Sequence, residues 1–185
     1  MLEQQYALRG EAVPVIETLH VTGLTSLAPM AARLGRVDLL TLMSPNKPEE
    51  KWSRFKLGQH VILTFNDIIE RRPGLIMPDA GVVLSVLEFG RNASKVHPML
   101  IHCWAGISRS SAAAYIIVCD RNPGHELAIA RELRRRSPYV TPNALMVSLA
   151  DDLLARGGAM REAIAEIGRG ADAFEGAPYE LPLLF

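Results

Sequence analysis

The chain has 185 residues, 49% of them hydrophobic, with 20 Lys and Arg against 20 Asp and Glu and a formal net charge of zero. That length and apolar content suit one globular domain with its own core, and the charge balance removes the net positive field that recruits nucleic acid or an anionic membrane surface. Two cysteines, Cys103 and Cys119, are too few for a disulfide framework and suit a reducing compartment, so a cytoplasmic location is expected.

The opening MLEQQYALRG carries an early glutamate and no apolar run of the signal-peptide kind. The longest apolar run, AAAYIIVC, falls far short of a membrane span, so neither a targeting signal nor a membrane partner is expected. VPVIETLHV (13–21) and VDLLTLM (37–43) have the composition of strands, and LTSLAPMAARLG (24–35) between them has helical spacing with Gly35 as its stop. SPNKPEEKW (44–52), with two prolines and clustered charge, is a loop; HVILTF, His60 to Phe65, is a strand, and FNDIIERRPG (65–74) is a second loop. Asp79 stands where an N-cap belongs, ahead of AGVVLSVLEFG, a helix ending near Gly90. PMLIHC (98–103) is another short buried strand, and SSAAAYIIVCDRN, HELAIARELRRR and NALMVSLADDLLARG follow as helices, with Arg134, Arg135 and Arg136 as a solvated helix face.

Strands alternating with helices imply an α/β domain: a central, mostly parallel sheet of four to five strands flanked by helices in three layers. GAMREAIAEIG (158–168) adds a last helix to a single domain spanning residues 1–168. Residues 169–185 form a tail whose end, Tyr179 to Phe185, packs on its own domain or on a twin subunit, or else docks a different partner.

The stretch HCWAGISRSS, His102 to Ser111, joins a strand to a helix and carries the chemistry. A loop that leaves the C-terminal end of a parallel strand and enters a helix sits where α/β proteins bind ligands, and free N–H groups at the helix start favour an anion. Gly106 lets the backbone curl so that successive N–H groups point inward around a phosphoryl group, with Trp104, Ala105, Ile107 and Ser108 contributing backbone donors. Arg109, six residues after Cys103, can add two parallel charged hydrogen bonds. The same field lowers a thiol's pKa from about 8.5 into a range of about 3.5–7.5, which would make Cys103 a nucleophile, and Ser110 can donate to its sulfur when the sulfur leaves.

HCWAGISRS resembles the His-Cys-x5-Arg-Ser/Thr signature of the cysteine-dependent protein tyrosine phosphatases, and the short chain is similar to their dual-specificity branch, over roughly residues 12 to 155. SPYVTPNALMVSL also resembles the proline-asparagine element that starts a late helix in that branch; the aromatic and the glutamine often found further on are Met146 and Leu149 here. The resemblance implies an aspartate on a loop after a strand, a few dozen residues ahead of the cysteine, that protonates the leaving oxygen; such a group is worth about 10²–10⁴ in rate. Asp67 lies at that place, with Glu70 as its rival on the same loop and Asp79 already occupied as a cap. Arg71 and Arg72 could meet a second acidic group on a substrate.

Other residues read more plainly. Cys119 falls roughly 20 Å along the following helix, too far to form a disulfide with Cys103, and belongs to the core. His102 supports the loop backbone; His20, His60, His97 and His125 lack ligand spacing, so no metal and no cofactor are expected. Trp52 and Phe55 pack beneath a charged loop or wall the substrate cleft, and Asn143 is a candidate for placing the hydrolytic water. The expected activity is hydrolysis of phosphotyrosine monoesters, with phosphoserine and phosphothreonine beside them, through a phosphocysteine intermediate. The partner is a phosphorylated protein or a small phosphomonoester. The alternatives are phosphoinositide or metabolite phosphates, a phosphate-binding module without turnover, and a rhodanese-like sulfurtransferase.

Overall fold

The computed structural model describes residues 16–45 and 51–185, so the strand read from Val13 is described only from Ile16 onward, and MLEQQYALRG lies outside the described residues. Five strands form one sheet: β1 (Thr18–Thr22), β2 (Val37–Met43), β3 (Leu57–Thr64), β4 (Met99–His102) and β5 (Tyr179–Pro182), in the order β3-β2-β4-β1-β5. The first four are mutually parallel, and β5 runs antiparallel to β1 at one edge.

Because successive side chains on a strand point to opposite faces, the apolar residues divide cleanly. Leu19, Val21, Leu40, Leu42, Met99 and Ile101 join the larger core cluster on one face. Val37, Leu39 and Leu100 face the other side and meet Leu27, Met30 and Ala31 of α1 (Leu24–Leu34), with Trp52 and Phe55 packed against them. Gly35, at φ +80°, ends α1 as its position predicts, donating its N–H to Ala31 O.

The larger face carries α2 (Ala80–Asn92), α3 (Arg109–Arg121), α4 (Glu126–Arg136), α5 (Ala144–Leu153) and α6 (Ala159–Ile167). Every residue of α3 from Arg109 to Cys119 is buried, the pattern of a helix enclosed on all sides; its apolar content therefore closes the core and holds the preceding loop against the sheet. Asp79 caps α2, accepting from Val82 N–H at 2.9 Å. The five-stranded, mostly parallel sheet between helical layers is the α/β architecture that the alternation implies.

Two boundaries and one surface differ from the sequence reading. β3 starts at Leu57, three residues before His60, because the polar Gln59 lies on an edge strand whose residues are mostly half-exposed. The α5 helix stops at Leu153, and Ala155 turns to φ +52° ahead of Gly157 and Gly158, both also at positive φ. The arginine cluster is not a uniformly solvated face: Arg134 donates to Pro138 O and Gly168 O, while Arg135 and Arg136 pair with Glu132.

The segment after residue 168 packs on this same core. Tyr179, Leu181 and Leu183 are buried, and the Asn122 side chain donates to Leu183 O and accepts from Phe185 N–H. No helix among the described residues is long and apolar enough to cross a membrane. Leu181→Ala should cost about 2–5 kcal/mol, as a large-to-small change in a sealed core does, and lower the urea midpoint accordingly; a change under about 0.5 kcal/mol would mean that β5 contributes nothing to the core.

Candidate active site

The loop between β4 and α3 is held by its carbonyls. Leu24 N–H donates to Trp104 O (2.9 Å), Gly176 N–H to Ala105 O (2.8 Å), Thr141 N–H to Ile107 O (3.1 Å) and Asn143 N–H to Ser108 O (3.3 Å). In a planar trans peptide the C=O and the next residue's N–H point in opposite directions. Four outward carbonyls therefore turn the N–H groups of Ala105, Gly106, Ser108 and Arg109 toward the inside of the loop. Cys103, 2% exposed, lies there: Gly106 N–H donates to its Sγ at 3.3 Å, and Ser110 Oγ is 3.1 Å from the same sulfur.

Gly106 makes this curl possible for two reasons. Its φ is +72°, and a Cβ at this position would sit 2.7 Å from Gly23 N and 2.9 Å from the Thr22 carbonyl carbon. Ser111 locks the far side of the loop, its hydroxyl donating to Ile107 O and Ser108 O.

Arg109 is 4% exposed and half committed. Its Nη1 donates to Phe65 O (3.0 Å) and Ser44 Oγ (3.1 Å), whereas its buried Nε makes no hydrogen bond among the described residues and faces Asp67 Oδ2 at 4.0 Å. One edge of the guanidinium is anchored and the other is left for an anion. Asp67 closes the mouth: its Oδ1 accepts from Ser108 Oγ at 2.7 Å and from Asn143 Nδ2 at 2.8 Å. Asn66 fastens the base of the Asp67 loop, donating its N–H to Ile76 O (2.7 Å) and accepting Ile76 N–H on Oδ1 (2.9 Å). Of the three acidic candidates the fold brings only Asp67 to the thiol loop; Glu70 is exposed beyond it and Asp79 is spent on its cap.

The loop therefore gathers a buried sulfur ringed by amides, an arginine with one edge free of hydrogen bonds among the described residues, and a carboxylate above them. The sequence matches no family model and no curated protein. Among solved structures it is similar to Tk-PTP, a protein tyrosine phosphatase, in its active form, at 18% identity over 71% of this chain and 86% of that one, with a TM-score of 0.50. It is also similar to the Siw14 catalytic core at 19% identity, covering 83% of this chain and 96% of the other, with a TM-score of 0.45. The fold is that of a protein tyrosine phosphatase.

The same fold positions the remaining sequence candidates. His102 is fully buried, its Nε2 lies 2.9 Å from Thr41 Oγ1, and burial pushes its imidazole down to about 4. Cys119 is fully buried in the core, where desolvation raises its thiol far above the ordinary value. His20 and His97 instead face single carboxylates, Glu180 and Asp38, and among the described residues no group of three or more His, Cys, Asp or Glu could hold a metal ion. Trp52 sits edge-on to His60, ring centroids 4.6 Å apart, and so packs on the sheet. Asn143 ties the start of α5 to the Asp67 loop. Its Oδ1 caps α5 by accepting Met146 N–H, and its Nδ2 donates to Asp67 Oδ1 and so steadies the carboxylate.

Sequence reasoning passed over Ser44, Thr141 and Gly176, all of which touch the site through bonds to Arg109 or to loop carbonyls. Thr141 and Asn143 belong to one VTPN run, a signal that was available; nothing local marks Ser44 or Gly176.

Two outcomes follow. Gly106→Ala should lose at least about tenfold in affinity for tungstate or vanadate, since left-handed backbone alone costs about 1–2 kcal/mol before the contact with Gly23; calorimetry showing unchanged affinity would contradict the inward cradle. The unfolded chain regains an ordinary histidine near 6.5 in place of the buried His102 near 4, so it binds the extra proton between those values. Stability should therefore fall as pH drops through that window, by roughly 3 kcal/mol, and His102→Gln should flatten that slope in urea titrations.

Proposed function

We propose that this protein is a cysteine-dependent phosphatase that hydrolyses phosphotyrosine monoesters, and phosphoserine and phosphothreonine monoesters beside them, in a reducing cytoplasmic compartment. The observation that carries the reading is the convergence on one point of Cys103 Sγ, the inward loop amides, the free Nε edge of Arg109 and the carboxylate of Asp67. The amides and Arg109 suit the three non-bridging oxygens of a phosphoryl group and would stabilise its charge through the transition state.

In the first step the Cys103 thiolate attacks phosphorus, the bond from phosphorus to the leaving oxygen breaks, and Asp67 gives that oxygen a proton. Oδ1 of Asp67 is occupied by two donors, so Oδ2 is the oxygen that would carry the proton. In the second step the Asp67 carboxylate takes a proton from water, the water oxygen attacks phosphorus, and the sulfur leaves, assisted by the Ser110 hydroxyl at 3.1 Å.

The loop residues Trp104 to Ser108 carry no charge, which supports a phosphoprotein substrate over a heavily charged one. One feature favours the second reading, a substrate with additional phosphates: Arg71 and Arg72 line a surface depression of about 550 Å³ with Gly74, Leu75 and Met77, on the loop that carries Asp67. Initial rates on a phosphotyrosine peptide, a phosphoserine peptide and inositol phosphates separate the two, the first being expected to lead.

Cys103→Ser should release no product from p-nitrophenyl phosphate while still binding oxyanions, and Asp67→Asn should lower kcat by about 10²–10⁴. Turnover by the serine variant at the wild-type rate would remove Cys103 as nucleophile. Thiosulfate sulfurtransfer that survives Asp67→Ala, with no phosphatase activity in the parent, would replace the reading altogether.

A further inference from the structure

The start of α1 and the C-terminal segment meet at the thiol loop, and a carboxylate joins them. Gly23 stands where the N-cap of α1 belongs, so it brings no side chain to cap the helix, and the first turn holds no acidic residue. The cap comes from elsewhere in the chain. Glu175 Oε1, 150 residues away, accepts from Thr25 N–H at 3.3 Å and from the Thr25 hydroxyl at 2.5 Å. An anion suits that end of a helix, where backbone N–H groups lack intrahelical partners and the dipole is positive.

Gly23 is what lets the carboxylate in. Its backbone, at φ −82° and ψ 173°, is open to any residue, yet a Cβ there would sit 2.2 Å from Glu175 Oε1. Next along the chain, Gly176 donates its N–H to Ala105 O at 2.8 Å. That carbonyl belongs to the same peptide as the Gly106 N–H, which donates to Cys103 Sγ at 3.3 Å, and a planar peptide cannot turn one end without the other. Contacts therefore run without a break from the first turn of α1 through Glu175 and Gly176 to the sulfur. Between Ala171, whose N–H donates to Pro138 O, and the start of β5, these are the only hydrogen bonds among the described residues that tie the segment to the body of the protein. Phe174, just ahead of Glu175, is 89% exposed and gives no packing in their place.

We propose that Glu175 is a positioning residue for the thiol loop: by pinning the C-terminal segment to the first turn of α1, it keeps Gly176 N–H on Ala105 O and so keeps Gly106 N–H aimed into the loop. The value of that amide to catalysis rests on the phosphatase reading of Cys103, but its alignment is measurable without turnover. The sign of the effect separates positioning from simple charge. Glu175 is a carboxylate close to a loop built for an anion, so removal of its charge alone would strengthen oxyanion binding. Loss of its hydrogen bonds misaligns a donor and weakens that binding.

The test is tungstate binding by calorimetry, together with the Gly106 amide ¹H shift recorded without anion, on the full chain. Glu175→Ala should bind tungstate about threefold to tenfold more weakly, the equivalent of one misaligned hydrogen bond, and move the Gly106 amide upfield, as an amide moves when its bond lengthens. Thr25→Val, which keeps the charge and removes the hydroxyl donor, should change both in the same direction. Glu175→Gln, which keeps an acceptor oxygen, should restore both. Gly23→Ala, whose Cβ displaces the carboxylate, should match Glu175→Ala, and the double variant should be no weaker than either alone, since both act through one contact. Tighter tungstate binding by Glu175→Ala and Glu175→Gln alike, or a folded Glu175→Ala protein with the wild-type affinity and amide shift, overturns the proposal. A parent chain that shows the stated responses but hydrolyses no phosphomonoester upholds it while removing the phosphatase reading.

Discussion

The site depends on where the carbonyls of a seven-residue loop point. A chain of peptides has no intrinsic reason to aim successive N–H groups at one centre, since each amide dipole repels its aligned neighbour. Here the arrangement is forced from outside, by N–H donors at Leu24, Thr141, Asn143 and Gly176 that draw the carbonyls away. These four donors come from the start of α1, the approach to α5 and the strand-ward run of the C-terminal segment, so three remote parts of the chain must be in place before the sulfur has its surroundings. The cradle is thus a product of the completed fold, preorganised before any anion arrives.

The core explains how that requirement is met. β4 is buried along its whole length and α3 for most of its own, so the loop joining them is fixed at both ends by elements that cannot shift without opening the interior. Arg109 enters this interior as a charge with partial compensation: Phe65 O and Ser44 Oγ hold one edge, and the nearest carboxylate, Asp67, stands at 4.0 Å on the other. A buried guanidinium with one unsatisfied nitrogen is costly, and an oxyanion entering the loop would relieve that cost. Folding and ligand binding therefore act on the same group.

Much of this was legible in the chain itself. The positions of Cys103, Gly106 and Arg109 follow from chemistry acting within seven residues, and the strand ahead and helix behind announce themselves by apolar runs. Asp67 was chosen over Glu70 by resemblance, and the geometry brings only Asp67 to Ser108 and Asn143. Element ends were less legible: the edge strand β3 begins earlier than its apolar run because none of its residues is fully buried, and α5 stops where Ala155 adopts left-handed backbone. The bond from Asn143 to Asp67 is not legible, because an amide's partner on a loop 76 residues away leaves no trace in local sequence.

By itself the sequence determined the alternation of strands and helices and the reactive cluster on one turn, because hydrophobic periodicity, turn residues and a thiol beside an arginine act over a few positions. Only the tertiary structure decided which distant groups complete that cluster: Thr41 behind His102, Ser44 on Arg109, Asn143 on Asp67 and Gly176 on the loop. Hydrogen bonds between segments far apart in the chain depend on the register of the sheet and on how helices seat on it. That register is a collective outcome of packing the whole core.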